Sequence, residues 1–146
     1  MEIDVKKSIL ALDTELAKLT KEIYTLYTCG GASLIFLGYD SRRTSDVDII
    51  CEQLDDVLVE ASKIVSKKLN IPIEWINNKV TPLGDRLGIR WKSKCIILYK
   101  GKNLILKSIS RQDLISSKLH AAIDRTRKDF DDLLWLKPSL TEIENA

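Results

Sequence analysis

Residues 30–51 read GGASLIFLGYDSRRTSDVDIIC. A glycine pair leads into the apolar run Leu34-Ile35-Phe36-Leu37, a polar loop over 38–45 carries Arg42 and Arg43, and Asp46 and Asp48 then alternate with Val47 and Ile49. Alternation in a strand sends Asp46 and Asp48 to one face. Adjacent carboxylates repel, and a charge taken out of water without a partner is costly. A divalent cation relieves both problems, and Mg²⁺ (or Mn²⁺) is typically held by one or two carboxylates together with substrate phosphates. Glycines allow close approach to a ligand, and a helix that starts just after them points N–H groups at an anion. Gly30, Gly31 and Ser33 are therefore candidate phosphate contacts, although a Gly-Gly pair between a strand and a helix is by itself more often just a tight turn. Neither GxGxxG nor GxxxxGK[ST] occurs in the chain, which removes the dinucleotide and P-loop readings.

The rest of the chain sets limits on that site. Its 146 residues suit a single domain spanning 1–146, and 45% hydrophobic with 30% charged residues is ordinary for a soluble protein. A net charge of +2 is too small to imply nucleic-acid binding by itself. No apolar run approaches the roughly 18 residues of a membrane span, and the N-terminus MEIDVKKSIL lacks a signal-peptide core. Cys29, Cys51 and Cys95 are odd in number, far apart and set among apolar neighbours, as expected of reduced thiols in a cytoplasmic protein. With one histidine, His120, no Cys/His metal cluster can form. Its neighbours Leu119 and Ala121 make it read as a partly buried structural histidine.

Val5, Ile9, Leu12, Leu16, Leu19 and Ile23 form an apolar stripe on a helix of about five turns. It would pack on a sheet or form a coiled-coil seam. Strands are expected over 24–29, 46–51 and 71–76, the last with Ile73 and Trp75 on one face and Glu74 on the other. Helices are expected over 32–37 and 55–69. Strands 95–99 and 103–106 read as a hairpin around Lys100-Gly101-Lys102, with 87–92 able to pair beside them. A helix starts at Arg111 behind Ser110-x-x-Asp113, a variant capping box. It reaches at least Arg125, and 128–136 continues it or starts another. This order predicts an α/β (α+β) fold, with helices packed on a mixed sheet.

Taken together, G-G-x-S followed by R-x-T-x-D-V-D-I-I resembles the signature of the nucleotidyltransferase superfamily, the polymerase-beta-like fold, with Arg43, Thr44, Asp46, Val47 and Asp48 in its second part. The C-terminal block DLISSKLHAAIDRTRKDFDDL is similar to that of the abortive-infection (AbiEii/AbiGii-type) toxin nucleotidyltransferases and their small relatives. Those carry a Lys, an Arg and an acid pair, here matched by Lys118, Arg125, Asp129 and Asp132. The resemblance implies transfer of a nucleoside monophosphate from an NTP to a hydroxyl of RNA (tRNA) or protein. Asp46 and Asp48 would hold Mg²⁺, Gly30, Gly31, Ser33, Arg43 and Thr44 would contact the nucleotide, and Lys118 and Asp129 would serve catalysis. It also implies a toxin–antitoxin or phage-defence setting with an antitoxin as partner. The superfamily usually adds a third carboxylate from a neighbouring strand, for which Glu74 is the best-placed residue. The alternative is a degenerate domain of the same fold that binds a nucleotide or partner without catalysis.

Two distances stay open. On one continuous helix, Lys118 and Asp129 would lie on the order of 16 Å apart, so either the helix breaks near Thr126 or the two do separate jobs. Asp124–Lys128 and Arg125–Asp129 would also make ordinary surface pairs. Arg86, Arg90, Lys92 and Lys94 around Trp91 could bind a single strand by charge and stacking, or could simply be a solvated ribbon.

Overall fold

The computed structural model describes residues 1–124 and 127–146. Helix α1 (Val5–Leu19) starts where the Asp4 carboxylate accepts from Lys7 N at 3.1 Å, and it buries Val5, Ile9, Leu12 and Leu16. Each such side chain stabilises the fold by roughly 1.5–3 kcal/mol. The helix ends before the apolar stripe does. Thr20 is extended, Asn103 Nδ2 donates to the carbonyls of Thr20 and Glu22, and Ile23 is left exposed. The stripe packs against α3 (Asp56–Leu69) and the sheet rather than forming a coiled-coil seam. Buried Glu15 accepts from Lys18 and Lys68, tying α1 to α3.

Strand β1 (Tyr24–Thr28) leads directly into α2 (Gly30–Phe36), so the glycine pair is the first turn of the helix and not a turn before it. β2 (Val47–Asp48) pairs in parallel with β3 (Ile76–Asn77). β4 (Ile96–Lys100) and β5 (Leu104–Ser108) form the expected antiparallel hairpin, and β5 pairs in parallel with β1. An antiparallel bridge between Thr28 and Ile49, with Ile50 N donating to Tyr27 O at 2.9 Å, joins the two sheets. The spatial order becomes β4-β5-β1-β2-β3, a mixed sheet with helices packed on it, as the α+β reading expected.

Further expectations differ, and the strand expected over 46–51 is reduced to Val47–Asp48. Residues 71–75 form no strand, because Trp75 N donates back to the Pro72 carbonyl at 3.0 Å and closes a turn. That turn exposes Ile73 and buries Trp75, whose Nε1 donates to Ser62 O on α3. Residues 87–92 do not pair with the hairpin either; Trp91–Lys94 is a 3-10 turn, and Trp91 packs edge-on against Tyr27 at 5.2 Å. Helix α4 (Arg111–Asp124) begins with Ser110 Oγ accepting from Asp113 N. α5 (Arg127–Leu136) is a separate helix packed on α4, and α6 (Leu140–Glu144) closes the chain behind a Ser139–Glu142 capping box. No helix among the described residues is long and apolar enough to cross a membrane.

Candidate active site

A cleft of ≈ 830 Å³ opens where the end of β1, the start of α2, β2, α4 and α5 meet. Gly30, Asp46, Asp48, Lys118 and Asp129 all line it. The two aspartates flank Val47, whose own side chain is fully buried. That alternation is what turns both carboxylates toward the cleft. Asn77 Nδ2 donates to Asp46 Oδ2 at 3.1 Å. The Asp48 carboxyl is pushed up to about 6, first by burial and then by the neighbouring Asp46 charge, with Lys118 and Lys79 only partly offsetting them. A raised carboxyl beside a second carboxylate is the electrostatic condition that a bound cation relieves. Among the described residues no group of three His, Cys, Asp or Glu side chains is placed to hold a metal. By their donor chemistry and shared face, Asp46 and Asp48 could supply two oxygens to a Mg²⁺ or Mn²⁺ ion, which would need its other ligands from water and substrate phosphates.

The glycines divide their work. Gly30 has φ +68, in the left-handed region, and a Cβ there would lie 3.9 Å from Asp48 Oδ2. Gly31 does not line the cleft; a Cβ on it would come within 3.0 Å of the Arg42 guanidinium. Ser33 is also not on the cleft wall. Its buried hydroxyl accepts from Ser108 Oγ at 2.8 Å, pinning α2 to β5.

Of the loop residues, Arg43 turns outward, its guanidinium donating to Asp40 O at 3.0 Å and lying 3.8 Å from Glu2. Thr44 Oγ1 donates to the Asp46 carbonyl at 3.2 Å, so it shapes the loop that delivers Asp46. Arg42, not Arg43, turns inward and pairs with Asp132. Glu74 is 69% exposed and pairs with Lys79, a consequence of the turn that replaces its strand. The residue that β3 does bring to Asp46 is Asn77.

On the opposite side, the packing of α5 against α4 brings Lys118 Nζ to 3.0 Å from Asp129 Oδ1 and 2.8 Å from Asp132 Oδ2. Asp132 is fully buried. Burial alone would raise its carboxyl, but hydrogen bonds and charge from Arg42 and Lys118 together hold it below the usual range. Arg125 lies outside the described residues. Four cleft residues carried no such reading in the sequence. Asp113, read there as a cap, and His120, read as partly buried, both line the cleft from α4, and His120 is exposed. Lys79 and Arg86 line it from the segment after β3. The i, i+7 spacing of Asp113 and His120 places them on one helix face, but the sequence does not say which face meets the aspartates.

No curated protein and no solved structure matches the chain. A family model does match, over residues 7–137, a span that runs from α1 through Asp46, Asp48, Lys118, Asp129 and Asp132. With the Asp-x-Asp pair and the Lys-acid pair meeting at one cleft of a mixed sheet, the chain belongs to the family described as nucleotidyltransferase of unknown function (DUF6036).

Proposed function

We propose that residues 1–146 act as a single domain that moves a nucleoside monophosphate from an NTP to an acceptor hydroxyl. The observation that carries this reading is the convergence of Gly30, Asp46, Asp48, Lys118 and Asp129 on one cleft from distant parts of the chain. Asp46 and Asp48 would hold Mg²⁺ or Mn²⁺, which when bound supplies neutralisation of phosphate charge and activation of an attacking oxygen. Gly30, held at φ +68 where glycine is favoured, presents backbone to the phosphates beside Asp48, and Lys118 offers them an ammonium at the wall. Gly31, Ser33, Arg43 and Thr44 act behind the wall or on the loop, by shaping these parts rather than by contact. Asp113 lines the same cleft, and we assign to it, in place of the outward-turned Glu74, the role of acceptor of the hydroxyl proton.

An acceptor in RNA, such as tRNA, or in a protein follows from the resemblance to abortive-infection toxins. So do a cytoplasmic toxin–antitoxin or phage-defence role and an antitoxin partner. A second reading, a domain that binds nucleotide or partner without catalysis, is favoured by the lack of a three-carboxylate group among the described residues.

Incubation with each α-labelled NTP, Mg²⁺ or Mn²⁺, and tRNA or lysate, beside an Asp46→Ala/Asp48→Ala variant, tests both. Label transfer that the variant abolishes supports the enzyme. Calorimetric NTP binding without transfer supports the second reading, and neither binding nor transfer in the wild type refutes the nucleotide reading altogether.

A further inference from the structure

Arg42 and Asp132 stand behind the cleft wall and line no part of it. Their side chains are only 9% and 0% exposed. The guanidinium donates two hydrogen bonds to one carboxylate, Nε to Oδ1 at 2.7 Å and Nη2 to Oδ2 at 3.0 Å. That two-pronged match is specific to arginine, and a lysine replaces it poorly. Gly31 leaves the space that the guanidinium occupies. Asp132 Oδ2 also accepts Lys118, which reaches on to Asp129 at the cleft surface.

The charges explain why two buried groups would matter to a third. Asp132 alone would neutralise Lys118. With Arg42 already on Asp132, two cations share the two carboxylates, and Asp129, 18% exposed, is the counter-ion that an incoming anion can displace. We propose that Arg42 and Asp132 are positioning residues that fix the Lys118 ammonium at the cleft wall and keep its charge available to the triphosphate. This rests on the nucleotide reading of the cleft. A purely structural ion pair holding α5 to the loop before β2 is the competing account.

The test uses the full chain with Arg42→Lys, Asp132→Asn and Lys118→Gln, singly and as the Arg42/Lys118 pair, each checked by circular dichroism. The first readout is KM and kcat for the NTP. Arg42→Lys is expected to raise KM about tenfold and to change kcat far less, the scale of a coupled charge pair. In the Lys118→Gln background the same substitution should change kcat/KM by less than about twofold, because the route through Lys118 is already cut. Equal losses in both backgrounds overturn the proposal.

The second readout needs no nucleotide: the rate at which an amine-acylating reagent modifies Lys118, followed by peptide mass spectrometry. It should rise about fivefold in Asp132→Asn, which takes a carboxylate from the ammonium, and fall in Arg42→Lys, which leaves Asp132 more fully to Lys118; unchanged rates in both overturn the proposal. If Asp132→Asn does not fold, Arg42→Lys decides by the same two readouts. If the wild type neither binds nor transfers an NTP, the nucleotide reading fails, while the acylation rates still decide whether these residues hold Lys118.

Discussion

Asn77 Nδ2 donates to Asp46 Oδ2 at 3.1 Å, while Asp48, paired with Asn77 in register across β2 and β3, has no side-chain hydrogen bond among the described residues. The two carboxylates are therefore unequal, and Asp48 carries the strain of burial. Its carboxyl shifts from 3.8 to about 6, so between those values the folded state binds more protons than the unfolded one. Stability from this group is complete below the unfolded value and falls as pH rises through the window. Asp48→Asn should thus stabilise the metal-free protein at pH 7.5 by about 1–2 kcal/mol, allowing for partial solvent screening. The gain should shrink toward pH 4 in urea unfolding curves. Mg²⁺ should stabilise the wild type and not the variant. A pH-independent difference would contradict this assignment.

Gly101 has no room for a side chain. A Cβ there would press on the Asp13 carboxylate and come within 2.6 Å of Tyr99 Oη. Asp13 anchors the hairpin by accepting from Tyr99 Oη at 2.6 Å, Asn103 N at 2.8 Å and Lys102 N at 3.2 Å. Gly101→Ala should cost about 1–3 kcal/mol, the range for an overpacked site. Chemical denaturation measures it, and a loss within experimental error would mean that Asp13 can move aside.

Glu74→Ala should leave nucleotidyl transfer within about twofold of wild type, since an exposed pair such as Glu74–Lys79 contributes little. Asp113→Asn should lower kcat by a factor of about 100 if Asp113 accepts the hydroxyl proton. Steady-state kinetics on the two variants distinguishes these roles, and the reverse ranking would return Glu74 to the site.

The thiols should be slow to alkylate in the folded protein. Burial pushes Cys29 up to about 12, with Asp48 adding to the effect, and Cys95 up to about 11; burial also raises Cys51. Because the thiolate is the reactive form, little of Cys29 would be ionised at pH 8. Iodoacetamide labelling at pH 8 should therefore be slow until denaturant unfolds the chain. Rapid labelling of Cys29 in the folded state would show that the end of β1 opens.

Local pattern determined much of this protein before any tertiary contact was considered. The stripe of α1, the span of α3, strand β1 and the hairpin β4–β5 follow from periods of 3.6 and 2 and from the residues that cap or turn them. Alternation alone turned Asp46 and Asp48 to one side. Where a competing contact lay nearby, the pattern misled: Ile71 to Ile76 alternates, but the Trp75 N to Pro72 O hydrogen bond and the burial of Trp75 convert it to a turn. Arg42 and Arg43 are adjacent and alike, so no periodicity separates them. What decides is Asp132, ninety positions away, a buried carboxylate that needs a cation and takes the one whose guanidinium fits over Gly31. The meeting of Lys118 with Asp129 likewise depends on α4 and α5 being separate helices packed together, because a continuous helix would hold the charges too far apart to pair. Residue type and spacing determined which chemistry the chain carries; long-range ion pairing and packing, which no local window contains, decided which of those residues share the cleft.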